Sequence, residues 1–324
     1  MIFVVYALLV ACVVLFSARL GYYVDLLDQK TTMASAFIGG VMLAAVTSLP
    51  ELMTSVTSVA FVGKPSLVIG NILGSDLFNV FVLGAVFLLY FKGLRRARIT
   101  TSHNTTVTCV VVIYVLLLVS LKTGSSLFLY GVSGLSLVIF ALYVWSIRKM
   151  SGDEDTSGEA GDVSPLTLRQ VVLRFAGYSV LLVCASIAIT YASDYLGTKI
   201  GLGSTMAGAL LLGIATSLPE MISCFVLARI GNFNAMTGNI VGSNIFNFAI
   251  FFVADLAYWN KNLYVYDSQA GLLITLGLAA NAAVLVLVRL LTRKGGAEKR
   301  PAAPVALLSA VPVVSYVLFA VLSA

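Results

Sequence analysis

Two carboxylates, Glu51 and Glu220, each close the pentapeptide Thr-Ser-Leu-Pro-Glu inside a long apolar stretch. An ionised carboxylate at membrane depth is costly, and acids so placed mark ion pathways unless a basic partner sits beside them. No Lys, Arg or His lies at similar depth along either stretch, so an ion pathway is the reading that remains. Pro50 has no N–H, so the Val46 carbonyl loses its helical partner and the helix kinks or breaks there; Pro219 does the same to the Ala215 carbonyl. Irregular backbone at that depth is tolerated where it is buried or lines a cavity. The freed carbonyls and the hydroxyls of Thr47 and Thr216 are hard oxygen donors, suited to Na+ or Ca2+. Thr47 and Glu51 share nearly one helical face with Ser48 adjacent, and Thr216, Ser217 and Glu220 repeat the arrangement.

A second pair of polar patterns follows each of these. Asn71, Ser75 and Asn79 recur at every fourth residue, as do Asn239, Ser243 and Asn247, so each set forms a stripe along one helix. Gly70 with Gly74, and Gly238 with Gly242, run beside the stripes and let neighbouring helices approach closely. Taken singly, a membrane Ser or Thr is more simply read as bonding its own helix or a neighbouring one. Recurrence with the proline and the glutamate at matched positions favours ligation instead. Asp76 is the asymmetric acid: its counterpart is Asn244, and it lies one step off its stripe. Asp25, Asp194, Asp255 and Asp267 fall near the ends of apolar stretches and are expected at the interface. Two carboxylates balance one divalent or two monovalent cations. About eight oxygens suit the sphere of Ca2+ better than the rigid octahedron of Mg2+. Soft ligands are absent from the set, which argues against zinc and copper.

These residues must be carried by membrane helices. The 324-residue chain is 60% hydrophobic and only 10% charged, with a mean hydropathy of +1.01. A soluble domain carries about 25% charged residues. Spans are predicted near 2–24, 32–62, 66–91, 105–121, 126–147, 170–196, 203–229, 234–258, 269–291 and 303–323. The first lacks a basic leader and reads as a span, not a signal peptide. With the N-terminus outside, sixteen of the 20 Lys and Arg residues fall on the cytoplasmic side, leaving Lys64, Lys122, Lys199 and Lys261 outside. The positive-inside rule therefore predicts both termini outside and a cytoplasmic central loop. Net charge is +6, and its placement in short loops fits lipid headgroups and topology better than nucleic acid. Cys12, Cys109, Cys184 and Cys224 lie inside apolar runs and read as packing thiols, and the single histidine, His103, lies in a polar loop.

The repeat sets the architecture. AAVTSLPELMTS at 44–55 returns as GIATSLPEMISC at 213–224, and IGNILGSDLFNV at 69–80 returns as TGNIVGSNIFNF at 237–248. The two patterns recur in order at nearly one offset, which a lone motif cannot do. Residues 1–147 form the first five-helix repeat, 148–169 a solvated cytoplasmic linker, and 170–324 the second repeat. Five spans is an odd number, so the second half enters the membrane from the opposite face. The expected fold is an all-α membrane protein of ten transmembrane helices, two inverted five-helix repeats with broken second and seventh helices. Such designs place ions near the midplane between the repeats.

The paired TSLPE and GNxxGSxxxN segments resemble the two alpha repeats of the cation/calcium antiporter superfamily, above all prokaryotic sodium/calcium exchangers. The resemblance rests on about 35 residues in each half. It implies secondary active exchange of Ca2+ for Na+ by alternating access in the cell membrane, without a cofactor and as a monomer. It also implies a coordinating set of Thr47, Ser48, Glu51, Ser75 and Asn79 with Thr216, Ser217, Glu220, Ser243 and Asn247, joined by the carbonyls of Ala44 and Gly213. The first and sixth spans would slide past an eight-helix core. Some microbial relatives carry aspartate where this chain has Asn247, which removes one charge here and favours sodium over proton coupling. Ca2+/H+ or K+-dependent Ca2+ exchange on the same fold stays open, as does a passive channel. An intramembrane aspartyl protease would need a GxGD-type context, which the chain lacks.

Overall fold

The computed structural model describes residues 2–30, 47–95, 97, 99–124, 128–150, 165–292 and 301–323. The described residues are mostly helical: α1 Ile2–Lys30, α2 Leu49–Ala60, α3 Pro65–Leu89, α4 Ser102–Thr123, α5 Gly134–Met150, α6 Leu168–Lys199, α7 Ser204–Arg229, α8 Phe233–Ala257, α9 Ser268–Thr292 and α10 Ala302–Leu322. Among the described residues, eight helices are long and apolar enough to cross a membrane, and α2 and α5 are the two in this series that fall short. The expected second span starts at 32, and its first part (32–46) lies outside the described residues, as do the central loop from 151 to 164 and the side chain of Asp25.

Helix starts follow local chemistry. Thr167 and Gln170 form a reciprocal capping box at α6, with Gln170 N donating to Thr167 Oγ1 at 3.3 Å and Thr167 N to Gln170 Oε1 at 2.9 Å. Asn232 caps α8 by accepting from Ala235 N at 3.0 Å, and Asp267 caps α9 by accepting from Ala270 N at 2.8 Å. The expected fifth span from 126 is shortened by a hairpin, Phe128–Leu129 paired antiparallel with Val132–Ser133. Tyr130 at φ 50° and Gly131 at φ 82° give the doubly left-handed turn that suits a two-residue hairpin. Asp255 holds the hairpin to α8 by accepting from Ser133 N at 2.7 Å.

The helices carrying the repeated motifs gather at the centre. α3 and α8 are the most buried of the spans and pack on each other, and both also pack on α2 and α7. α4, α5, α9 and α10 close around this group, with one large apolar core running through α3, α4, α8 and α9. α1 and α6 lie along each other and meet the rest chiefly through α2 and α7, with a separate apolar cluster at that seam.

Candidate functional site

Ser48 stands immediately before the helix that carries Glu51. It takes φ −92° and ψ 12°, outside helical values, and α2 begins at the next residue with Pro50 in its first turn. Proline is tolerated there because its missing N–H has no helical partner to lose. Glu51 therefore stands in the first turn of α2, where the positive end of the helix dipole favours a carboxylate.

The seventh helix differs from expectation. It runs unbroken through Pro219, and its irregularity lies upstream as a π-helical stretch over Ala207–Leu212. Such π insertions recur at functional sites. This stretch is pressed against α3. A Cβ at Gly70 would strike the Thr205 carbonyl, one at Gly74 the Ala209 backbone, and one at Gly208 the Leu67 carbonyl. A Cβ at Gly213 would come within 2.9 Å of Ser75 N. Absent side chains thus bring the two motif-bearing backbones into contact.

The expected ligands converge from both halves of the chain. Ser217 Oγ donates to Glu51 Oε1 at 3.2 Å, and Thr216 stands beside the same carboxylate. Thr47 and Ser243 stand beside the carboxylate of Glu220, which is close enough to Glu51 for the two charges to interact. Ser75 Oγ donates to the Gly213 carbonyl at 3.3 Å. Asn79 Nδ2 donates to Asn244 Oδ1 at 2.9 Å, which turns the Asn79 oxygen the other way. Thr47 is half-buried, while Ser48, Asn247 and the other side chains of the expected set are buried. Ala44 lies outside the described residues. Among the described residues no hydrogen bond links Ser48 or Asn247 to the rest of the set.

Seven buried oxygens of this set find no hydrogen-bond partner among the described residues: Ser48 Oγ, Glu51 Oε2, Asn79 Oδ1, both oxygens of Glu220, Ser243 Oγ and Asn247 Oδ1. Buried acceptors are ordinarily satisfied. A cluster in which acceptors outnumber donors, with two carboxylates among them, has the chemistry of a cation site. The oxygen-only composition and the ligand number suit Ca2+ or Na+. No cluster of three or more His, Cys, Asp or Glu side chains occurs among the described residues, so charge at the site comes from the two glutamates.

Two polar side chains of α3, Asn71 of the stripe and Asp76 beside it, point elsewhere. Asn71 donates through Nδ2 to Thr54 Oγ1 and Ser55 Oγ at 3.0 Å and to the Glu51 carbonyl at 3.3 Å, so it braces α2 against α3. Asp76 faces α4 and α9: its Oδ2 accepts from Tyr114 OH at 2.6 Å and from Asn281 Nδ2 at 2.7 Å. Tyr114 and Asn281 escape sequence reasoning because neither belongs to a repeated motif. Of the acids expected at the interface, Asp194 pairs with Lys64 at 2.6 Å, and Asp267 also accepts from Thr205 Oγ1 at 2.7 Å.

A family profile described as sodium/calcium exchanger protein matches residues 1–148 and 170–324. The putative antiporter CaxA of Alkalimonas amylolytica is 27% identical over 240 residues, covering 71% of this chain and 72% of that protein. The inner membrane protein YrbG of Escherichia coli strain K12 is 26% identical over 260 residues, 73% of this chain and 74% of that one. Among solved structures, the H+/Ca2+ exchanger CAX aligns with a TM-score of 0.73 at 13% identity, covering 99% of this chain and 88% of that one. The sodium-calcium exchanger NCX_Mj aligns with a TM-score of 0.58 at 16% identity over 98% of both chains. At these identities the structural likenesses establish a shared fold.

Proposed function

This chain belongs to the sodium/calcium exchanger protein family, and from that premise we propose that it is an antiporter exchanging Ca2+ for Na+ by alternating access, with the ions held between Glu51 and Glu220. The observation that carries this reading is the cluster of unpartnered buried oxygens around two neighbouring carboxylates, drawn from α2, α3, α7 and α8. The ligands would be Thr47, Ser48, Glu51, Ser75 and Asn79 with Thr216, Ser217, Glu220, Ser243 and Asn247, plus the carbonyls of Ala44 and Gly213. Two negative charges match one Ca2+ or two Na+, which lets either load compensate the same pair of carboxylates. That equivalence is the physical basis of exchange: the site switches its access from one side to the other neutralised by one cargo or the other, and a bare pair of buried carboxylates is penalised.

The architecture that supports this is ten membrane helices in two inverted repeats, with both termini outside and the central loop in the cytoplasm. The odd span count per half and the sixteen-to-four charge asymmetry are its warrants. The separate apolar cluster joining α1 and α6 to the other helices supports a pair that slides while the site-bearing core stays rigid. The protein would act as a monomer and need no cofactor.

Sodium is favoured as countersubstrate because Asn79 and Asn247 contribute oxygens without exchangeable charge, leaving the two glutamates as the principal charges. The decisive measurement is Ca2+ uptake into proteoliposomes driven in turn by Na+, K+ and pH gradients. Uptake driven by an outward Na+ gradient alone is expected. Uptake driven only by a pH gradient, or requiring K+, would replace the sodium assignment with the corresponding alternative.

A further inference from the structure

We propose that Asp76 is a positioning residue: its free carboxylate oxygen accepts a hydrogen bond from the Asn247 amide and thereby turns the Asn247 oxygen toward the cation. The inference rests on the exchanger reading and on the inverted repeat. Its starting point is the crossing of α3 and α8. Asn79 of α3 donates to Asn244 Oδ1 of α8 at 2.9 Å, and Asn244 Nδ2 in turn reaches the Asp76 carbonyl at 3.5 Å. In an antiparallel pair, one turn back along α3 from Asn79 is Asp76, and one turn forward along α8 from Asn244 is Asn247. The same pseudo-two-fold axis that pairs Asn79 with Asn244 sets Asn247 opposite Asp76, although no hydrogen bond joins these two side chains in this structure.

The hydrogen-bond ledger of the two side chains agrees. Asp76 and Asn247 are both fully buried. Asp76 Oδ1 has no partner among the described residues, and neither has Asn247 Nδ2. One is an acceptor and the other a donor. A bond formed between them when the cation is held would complete both and leave Asn247 Oδ1 as the free atom, just as the Asn244 contact leaves Asn79 Oδ1 free.

This pairing also accounts for the asymmetry between the repeats. Asp76 Oδ2 is fixed as an acceptor by Tyr114 OH and by Asn281 Nδ2, and the same Asn281 nitrogen donates to the Gly277 carbonyl at 3.0 Å. An asparagine at 76 would have to keep its oxygen under those donors, which puts its NH2 where Oδ1 now stands. Two NH2 groups would then face each other, and Asn247 would turn its nitrogen to the cation. Only a carboxylate accepts on both sides. Among the described residues Asn244 faces no such pair of donors, and an amide serves there.

The test is a swap measured as Ca2+ uptake in proteoliposomes, with half-saturating Ca2+ and maximal rate read separately. Asp76→Asn is expected to raise half-saturating Ca2+ about tenfold, the scale of one hydrogen bond to a charged group. Asn247→Asp alone sets two acceptors against each other and is expected to do the same. The double variant Asp76→Asn/Asn247→Asp restores a donor facing an acceptor, and its half-saturating Ca2+ should fall clearly below that of the worse single variant. A double variant no better than the worse single variant overturns the proposal, since a purely structural Asp76 predicts no rescue. Unmodified protein that takes up no Ca2+ under any gradient would instead overturn the exchanger reading. Should Asp76→Asn not fold, a Ca2+-bound structure of the unmodified protein decides: Asn247 Nδ2 within hydrogen-bonding distance of Asp76 Oδ1 supports the assignment, and a separation by any other group refutes it.

Discussion

Neutralising either glutamate removes half the charge that a divalent ion requires, so Glu51→Gln and Glu220→Gln are both expected to abolish Ca2+ exchange. The amide keeps the volume and one oxygen, and the loss can therefore be assigned to charge. Purified protein that stays monodisperse in detergent yet shows no Ca2+ uptake is the expected result; full-rate exchange in either variant would remove that residue from the site. The effect should exceed that of Asp76→Asn, whose carboxylate turns toward Tyr114 and Asn281. At this scale the sequence is eloquent about Glu51 and Glu220, because acids with a proline and hydroxyls stand out against apolar surroundings and do so twice. It is silent about Tyr114 and Asn281. Their roles arise from contacts across 38 and 205 residues, and nothing local in α4 or α9 marks them. The pairing of Asn79 with Asn244 is hidden for the same reason.

The elements do their work by letting backbones touch. Gly74 lies where any Cβ would run into the backbone of Ala209, so Gly74→Ala must push α3 from the π-helical stretch of α7. Overpacking of this kind costs about 1–3 kcal/mol. Gly177, on the exposed face of α6 with nothing within 4 Å, is the contrast: Gly177→Ala gains helix propensity of roughly 0.5–1 kcal/mol and meets no obstacle. Thermal melts followed by size-exclusion chromatography should show Gly74→Ala lowered and Gly177→Ala unchanged or raised. Equal shifts would mean that the close approach of α3 and α7 is not under constraint. Apolar run length marks the eight described helices long enough to span, while α2 and α5 fall short of that length. The π stretch was not legible in the sequence, because Ala-Gly-Ala-Leu-Leu-Leu carries no signal that separates π from α turns. Pro219 drew attention to the wrong place for that reason. The hairpin at Tyr130–Gly131 shortened a span whose composition alone suggested more helix.

At the scale of the molecule, the question is what moves. α1 and α6 share one apolar seam with each other and another with α2 and α7, whereas the remaining helices are welded through a single continuous core. Among the described residues the one ion pair, Lys64 with Asp194 at 2.6 Å, bridges that divide: Lys64 sits between α2 and α3, and Asp194 near the end of α6. A partly exposed pair of this kind adds little stability, in the range of 0–1 kcal/mol. Its value is as a marker of the relative position of α6 and the core. If alternating access slides α1 and α6 past the core, Lys64 and Asp194 must separate once in every cycle. Cysteines introduced as Lys64→Cys and Asp194→Cys, in a background without the native Cys12, Cys109, Cys184 and Cys224, can be tied by a short reducible bifunctional thiol reagent. Exchange is then expected to stop on cross-linking and to resume on reduction, while either single cysteine with the same reagent stays active. A membrane-impermeant reagent applied from outside should suffice, since both residues fall on the external side in the charge-derived topology. Cross-linked protein that exchanges at full rate would show that α6 does not move against the α2–α3 loop, and the sliding pair would have to be sought elsewhere in the fold.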